Sequence, residues 1–172
     1  MSIQREIKQT RPFAAPTQEA AIALMRTADL VRRSVAAVID PYDITPQQYN
    51  VLRILRGAGA QGLPTLEIAE RMIEEAPGIT RLIDRLETKS LVLRVRCKTD
   101  RRQVFCHITD SGLALLAKLD RPIREAEDES LSVLSEHQLA QLIKLLEKAR
   151  NGLHATLLQL TLSKAKGQGS HR

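Results

Sequence analysis

The stretch PGITRLIDRLETKSLVLRVRCKTDRRQVFCHIT, residues 77–109, decides the fold. Its first part places apolar residues at the i, i+3, i+4, i+7 spacing of one helix face, which predicts an amphipathic helix with that face buried. The four residues are Ile79, Leu82, Ile83 and Leu86. Pro77 stands at the predicted start, because the first helical position needs no N–H donor. Two β-prone runs with alternating basic residues follow and predict an antiparallel hairpin with a cationic tip.

Positive charge is concentrated in this stretch. From Arg81 to Arg102, eight Lys or Arg residues face three Asp or Glu residues, so this segment carries +5 of the chain's net charge of +6. A basic helix beside a basic hairpin is typical of a DNA-binding surface. The predicted contact residues are Pro77, Gly78, Thr80, Arg81, Asp84 and Arg85 on the helix, and Lys98, Asp100, Arg101 and Arg102 at the hairpin tip.

Each of these contacts also has a structural interpretation. Arg81, Asp84 and Arg85 have the spacing of ion pairs on a solvated helix face. Pro77 and Gly78 either begin the helix or contact a thymine methyl group. The tip arginines either insert into a narrow minor groove, with Asp100 orienting one of them, or form a basic surface turn. The neighbouring basic elements favour DNA contact.

The composition limits the class of protein. With 172 residues, 43% of them hydrophobic and 27% charged, the chain suits one globular domain. No apolar run approaches the roughly 20 residues that cross a bilayer. Because the N-terminus also lacks the apolar core of a signal peptide, the sequence predicts a cytoplasmic protein.

Patterns for catalysis and metal binding are absent from the sequence. No nucleophile is paired with a base, no glycine-rich phosphate loop follows a strand and no HExxH occurs, so we expect neither an enzyme nor a cofactor. The four histidines lack zinc spacing, so we expect no metal. Cys97 and Cys106 fall on the hairpin strands, where cysteine usually acts as a small buried hydrophobe. A redox switch is the alternative for these two thiols.

The N-terminal part predicts an arm and one long helix. Residues 1–16 contain two prolines and few apolar anchors. A helix over residues 17–40 follows, with Thr17 as its N-cap and Pro41 as its stop. It carries a heptad stripe of small apolar residues, which predicts packing against a partner helix. The stripe is Ala21, Leu24, Ala28, Val31, Val35 and Val38.

Residues 41–109 predict a helix-turn-helix with a wing. Residues 45–48 have the form of a capping box that begins a short helix. Residues 57–64 are predicted as a loop, after which Thr65 caps a second short helix. The helix that follows Pro77 completes the helix-turn-helix, and the hairpin forms the wing.

Residues 110–163 predict two helices. The first begins at residues 109–111 with Leu113, Leu116, Leu119 and Ile123 on one side, and Pro122 predicts a kink or break. The polar residues 125–130 separate it from a last helix that begins near Ser135. That helix carries a second heptad stripe, formed by Leu139, Leu142, Leu146, Ala149, Leu153, Thr156 and Leu160. Residues 164–172 are predicted as a disordered tail.

In their joint order and spacing, these elements resemble the multiple antibiotic resistance regulator (MarR) family of winged-helix repressors over about residues 45–119. The motifs that carry the resemblance are TPQQYNVL (45–52), TLEIA (65–69), ITRLIDRLE (79–87), LVLR (91–94), DRR (100–102) and ITDSG (108–112). Ser90 stands where the family usually has a glycine at the end of the recognition helix. Because serine disfavours the left-handed conformation, the sequence predicts a differently built turn there.

The resemblance implies a mainly α fold with a small β-hairpin wing. It implies a homodimer held by the N- and C-terminal helices, in which each protomer places a helix in the major groove and a wing in the minor groove of a pseudo-palindromic operator. It further implies a repressor released by a small aromatic or organic anion. Because aromatic residues are scarce, we expect the effector crevice to be lined by aliphatic side chains with arginine at its rim. The alternative is a winged-helix module for nonspecific nucleic-acid packaging or protein assembly.

Overall fold

The chain is mainly helical with one small sheet. In the computed structural model, residues 2–96 and 103–168 are described, with the backbone alone for 164–168. The helices are α1 (Ile3–Glu6), α2 (Pro16–Ile39), α3 (Pro46–Ala58), α4 (Thr65–Arg71), α5 (Ile79–Thr88), α6 (Asp110–Leu131) and α7 (Glu136–Gln168). The strands are β1 (Leu63–Pro64), β2 (Val92–Arg96) and β3 (Val104–Ile108), which form an antiparallel sheet of order β1-β3-β2. The predicted fold class, mainly α with a β wing, is confirmed.

The chain forms two compact units, Met1–Ser130 and Leu131–Arg172. The hydrophobic core lies in the first unit, where α3, α5, β3 and α6 contribute fully buried side chains. Among them are Leu52, Leu55, Ile83, Leu86, Cys106, Leu116 and Leu119. Burying each aliphatic side chain of this kind stabilises the fold by about 1.5–3 kcal/mol. The predicted apolar face of α5 is therefore one wall of the core.

The predicted capping box at the start of α3 is confirmed. The Gln48 N–H donates to Thr45 Oγ1 over 3.2 Å, and the Thr45 N–H donates to Gln48 Oε1 over 2.9 Å. Pro46 occupies the first helical position, where no N–H partner is needed. These two bonds satisfy donors that a helix start otherwise leaves open.

Three other helix starts differ from the prediction. Helix α2 begins at Pro16 after Ala15, so Thr17 lies inside the helix and is not its N-cap. Thr65 is the first residue of α4 and makes no cap, because Pro64 is held in β1 and the helix begins directly after it. Pro77 lies before α5, whose N-cap is Gly78. Instead of starting the helix, Pro77 forms part of a turn closed by the Ile79 N–H and the Ala76 carbonyl at 3.0 Å.

The predicted loop over residues 57–64 is partly regular. Helix α3 extends through Ala58, a 3-10 turn spans Gly59–Gln61, and Leu63 and Pro64 pair with β3. Gly62 has a φ of +61°, which lets the chain enter this short strand. The two-residue strand carries no alternation of its own, so the sequence could not indicate it.

Helix α6 is continuous through Pro122, where the sequence predicted a kink or break, so no break occurs there. Thr109 caps it, since the Gly112 N–H donates to Thr109 Oγ1 over 3.1 Å. Pro122 lies inside the helix, and buried Leu119 and Ile123 beside it hold this segment in the core. Residues 125–130 are helical, as their glutamates and alanine favour. Leu113, predicted on the buried side, is 40% exposed.

The second unit is dominated by helix α7. Ser135 caps it through a bond from the Gln138 N–H to its Oγ at 3.3 Å. The helix continues through Asn151 and Gly152 to Gln168, five residues beyond the predicted end at 163, because lysine and alanine favour helix. The predicted tail is thus helical over 164–168, and residues 169–172 lie outside the described part of the chain.

Candidate nucleic-acid interface

The exposed edge of α5 gathers the predicted contact residues. Thr80, Arg81, Asp84 and Arg85 are all exposed, and Pro77 and Gly78 are exposed directly before the helix. Ile83 and Leu86 are buried on the opposite side and fix the helix in the core. The structure therefore brings the six predicted residues of this helix and its start onto one outer surface.

The predicted tip of the wing lies outside the described residues. This applies to Lys98, Asp100, Arg101 and Arg102, and also to Cys97. The strands on either side are paired as predicted, with Val92 opposite Ile108 and Arg96 opposite Val104. Cys106 is a free, fully buried thiol, in agreement with its prediction as a small hydrophobe.

Arg94 of the wing binds three positions of α5. Its Nη1 lies 2.6 Å from Asp84 Oδ1 and 3.0 Å from Glu87 Oε2. Its Nη2 donates to the Thr80 carbonyl over 3.2 Å, and its backbone N–H donates to Glu87 Oε1 over 3.3 Å. Strand β2 is thereby joined to the recognition helix by side-chain and backbone bonds.

The charge of Arg94 is secured by these carboxylates. Burial of the guanidinium disfavours its charged form, but Asp84 and Glu87 outweigh this effect and raise the pKa of Arg94 above its ordinary value. The group therefore stays cationic near neutral pH.

The pairing of Asp84 differs from the structural interpretation of the sequence. Its carboxylate pairs with Arg94 and not with Arg81 or Arg85 on its own helix. Within the described part of the chain, Arg81 and Arg85 make no ion pair. Sequence reasoning missed the role of Arg94. Arg94 lies two residues after buried Val92 in β2, and residues two apart on a strand share a face. This spacing could have placed Arg94 on the side of the strand that faces α5.

The turn from α5 into the wing is left-handed. Ser90 has a φ of +57°, so the prediction of a differently built turn is wrong. The Ser90 N–H donates to the Glu87 carbonyl at 2.8 Å and the Leu91 N–H to the Leu86 carbonyl at 2.9 Å, the pair of bonds of a Schellman cap. Thr109 Oγ1 also donates to the Ser90 carbonyl over 2.7 Å, which ties the turn to the start of α6.

Two cavities of about 270 Å³ each border this surface. They share Gln47, Leu82 and Arg85. The first also has walls from α2 and α3, and the second reaches the start of α5. The further lining residues are Arg32, Thr45, Pro46, Gln48 and Glu74 in the first, and Ala76, Pro77, Gly78 and Arg81 in the second.

The lining of these cavities is mostly polar. Among the described lining residues, Leu82 is the single long aliphatic side chain. Two arginines, Arg32 and Arg85, face one carboxylate, Glu74, in the first cavity. Glu74 lies 3.8 Å from Arg32 Nε and accepts from Gln47 over 3.4 Å. The walls of these cavities thus combine arginine with side-chain amides, and the predicted effector crevice, with aliphatic walls and arginine at its rim, stays a prediction.

The described residues contain neither a cluster of metal ligands nor a membrane-spanning helix. In residues 2–96 and 103–168, no three His, Cys, Asp or Glu side chains come together as a metal site would require. Over the same ranges, no helix combines the length and the apolar character needed to span a membrane.

Comparison with known proteins relates this chain to transcriptional regulators. The model of the MarR family matches residues 44–104. The HTH-type transcriptional regulator MhqR of Bacillus subtilis is 33% identical over 135 residues, which are 78% of this chain and 90% of that protein. The homoprotocatechuate degradative operon repressor of Escherichia coli is 27% identical over 127 residues, 74% of this chain and 84% of the repressor.

Solved structures share the fold. A MarR transcription factor from Planctomyces limnophilus is 42% identical, with a TM-score of 0.61, and the match covers 79% of this chain and 98% of that one. MepR of S. aureus in complex with DNA is 24% identical, with a TM-score of 0.71 and coverage of 77% and 96%. The second comparison shows the fold alone.

Proposed function

Since the chain belongs to the MarR family of DNA-binding transcriptional regulators, we propose that it is a repressor whose α5 reads a pseudo-palindromic operator. One observation carries the proposal. Arg81 and Arg85 stand on the exposed edge of a helix whose other face is fully buried, and no ion pair within the described residues engages them. A rigid helix with available arginines is the arrangement that major-groove recognition requires.

The proposed contacts divide by chemistry. Arg81 and Arg85 bind phosphates or the acceptor edge of guanine, and Thr80 binds a phosphate or a base edge. Pro77 and Gly78 lie where a thymine methyl group would meet the start of the helix. In the wing, Lys98 binds phosphate and Arg101 or Arg102 enters the minor groove, with Asp100 orienting a neighbouring arginine.

Exposed apolar residues on α2 support a homodimer. In the predicted stripe, Val35 and Val38 pack against the chain's own core, whereas Leu24 is 41% exposed and Val31 is also exposed. Contiguous apolar surface of this kind usually meets a partner. A two-fold dimer would set two recognition helices about 34–36 Å apart, the spacing of successive major grooves. Because the ligand is double-stranded DNA, we propose that the protein acts in the cytoplasm.

The cavity that Arg32 and Arg85 share supports a small organic anion as effector. A carboxylate there would meet Arg85 and would compete with Glu74 for Arg32, and an aromatic ring could lie against Leu82. The name of one relative refers to an operon that degrades homoprotocatechuate, a small aromatic acid. Such an effector releases DNA only if it binds the DNA-incompetent form more tightly.

The DNA contacts are tested with Arg81→Ala and Arg85→Ala on an operator selected from random duplexes. An arginine that reads a base should lose about 1–3 kcal/mol of binding free energy and relax specificity at one position. Arg121→Ala is the matched control, because Arg121 pairs with Glu125 on α6 and should bind like the wild type. If both α5 variants bind like the control, α5 is not the reading helix.

The effector is tested by titrating a panel of aromatic carboxylic acids into the protein–operator complex while following fluorescence anisotropy. We expect release by one or more acids, and a higher releasing concentration in Arg32→Ala, whose DNA affinity should be retained. A different outcome would identify an oxidative switch. In that case no acid releases the DNA, hydrogen peroxide does, and Cys97→Ser or Cys106→Ser abolishes the release by peroxide.

A further inference from the structure

We propose that Arg94 is a positioning residue that makes the recognition arginines available to DNA. It does so by binding Asp84, which otherwise stands within reach of Arg81 on the same helix. The inference rests on the proposed function, because it requires Arg81 and Arg85 to contact DNA. It assigns Asp84 to Arg94 and removes it from the predicted DNA-contact residues.

The geometry makes Arg94 the common partner of both acidic residues of α5. Asp84 lies 2.6 Å and Glu87 3.0 Å from the same Nη1 atom. The other terminal nitrogen is held by the Thr80 carbonyl, so the guanidinium plane has a fixed orientation. The Arg94 side chain is 23% exposed, whereas that of Asp84 is 52% exposed. The partly buried Arg94 guanidinium thus binds the solvent-exposed Asp84 carboxylate.

The spacing of residues on α5 indicates which group Asp84 would bind if Arg94 were absent. Asp84 follows Arg81 by three residues, the separation at which opposite charges on one helix pair. An Asp84 carboxylate released from Arg94 would therefore compete with phosphate for Arg81. It would also place an uncompensated negative charge at the surface that faces the DNA backbone. Glu87 lies on the half-buried side of α5 and adds the second bond that keeps Arg94 in place.

The first test is Arg94→Gln on the selected operator. We expect an affinity loss of about tenfold, the typical value of one charged hydrogen bond. We also expect the slope of log K against log salt to fall by about 0.9, because one phosphate contact is lost. The double variant Arg94→Gln with Asp84→Asn should recover the wild-type slope and most of the affinity, because the competing carboxylate is gone.

This rescue separates the proposal from a role in anchoring the wing alone. If Arg94 only held β2 against α5, removing Asp84 as well would restore nothing, and that result would overturn the inference. Arg121→Gln, a loss of one arginine from an exposed ion pair on α6, is the control for net charge.

A second variant keeps the test valid should Arg94→Gln fold poorly. Asp84→Asn alone leaves Arg94 bound to Glu87 and to the Thr80 carbonyl. We expect tighter DNA binding, by about threefold, because one negative charge leaves the surface. Unchanged or weaker binding overturns the inference. If Arg81→Ala and Arg85→Ala lose no affinity for the operator, the proposed function fails. If they lose affinity but the double variant does not recover it, only the proposed role of Arg94 fails.

Discussion

Ser90 is the left-handed residue of the turn that connects α5 to β2 of the wing. It adopts the left-handed region, with a φ of +57°, although it carries a side chain. That region costs a non-glycine residue roughly 1–2 kcal/mol. The two cap bonds and the bond from Thr109 Oγ1 hold the residue there in spite of this cost.

Ser90→Gly should therefore stabilise the protein. We expect the free energy of unfolding to rise by up to about 1 kcal/mol, because relief of the left-handed strain exceeds the entropy that glycine adds to the unfolded chain. Urea unfolding followed by circular dichroism measures it. Ser111→Gly, within the first turn of α6, is the control and should lose stability. A fall in stability for Ser90→Gly would show that the serine side chain contributes to the turn.

Residue spacing predicted the faces of α5 but not the partners of its charges. The buried positions of Ile83 and Leu86 follow from the period of the helix alone. The pairing of Asp84 with Arg94 depends on how β2 folds back onto α5, and the period of one helix contains no such information. The conformation of Ser90 is likewise set by contacts with α6.

At the scale of elements, the start of α6 is fitted against the turn between α5 and the wing. Gly112 is buried, and a Cβ added there would stand 2.5 Å from the Leu91 carbonyl oxygen and 2.7 Å from Ile108 Cγ1. The Thr109 N–H donates to the same Leu91 carbonyl over 3.1 Å. The backbone of α6 therefore approaches the turn before β2 more closely than any larger residue at position 112 permits.

Gly112→Ala should destabilise the protein by about 1–3 kcal/mol, the usual cost of overpacking. Because the nearest atom belongs to the backbone, a side-chain rotation cannot relieve the clash. Gly57→Ala is the matched control. A Cβ at this α3 position meets nothing within 4 Å, so the change should stabilise the helix by about 0.5–1 kcal/mol. Equal thermal midpoints for the two variants would contradict this account of the α6 contact.

Elements were predictable where a long periodic segment carried the signal. The recognition helix and the hairpin strands are of this kind. Strand β1 escaped prediction because two residues have no period. The kink or break at Pro122 was predicted from one residue, yet α6 is continuous across it, with Leu119 and Ile123 buried on either side. Core packing outweighed the local preference of proline in this helix.

At the scale of the whole molecule, the second unit exposes several leucines to solvent. Leu153 is 56% exposed, and Leu145, Leu157 and Leu160 are exposed on the same helix. Helix α7 thus offers an apolar stripe to solvent over much of its length. Together with the exposed part of the α2 stripe, this surface supports the proposed homodimer.

The dimer is tested by sedimentation of the wild type and of the pair Leu142→Asp with Leu146→Asp. We expect a wild-type dimer at micromolar concentration and a shift toward monomer in the variant, because a charge in an apolar seam is desolvated without a partner. Glu147→Asp with Lys148→Arg, changes on the polar side of α7, is the control and should stay dimeric. A folded wild-type monomer at that concentration would contradict the proposed assembly.

As a whole, the molecule is proposed to recognise a particular DNA sequence. The direct measurement is the ratio of affinities for a duplex selected from a random pool and for a scrambled duplex of equal length, at a salt concentration of about 0.15 M. A regulator that reads bases should favour the selected duplex by about 10³ or more. A ratio near one would show that the basic helix and wing bind phosphate without reading sequence, as a packaging protein would.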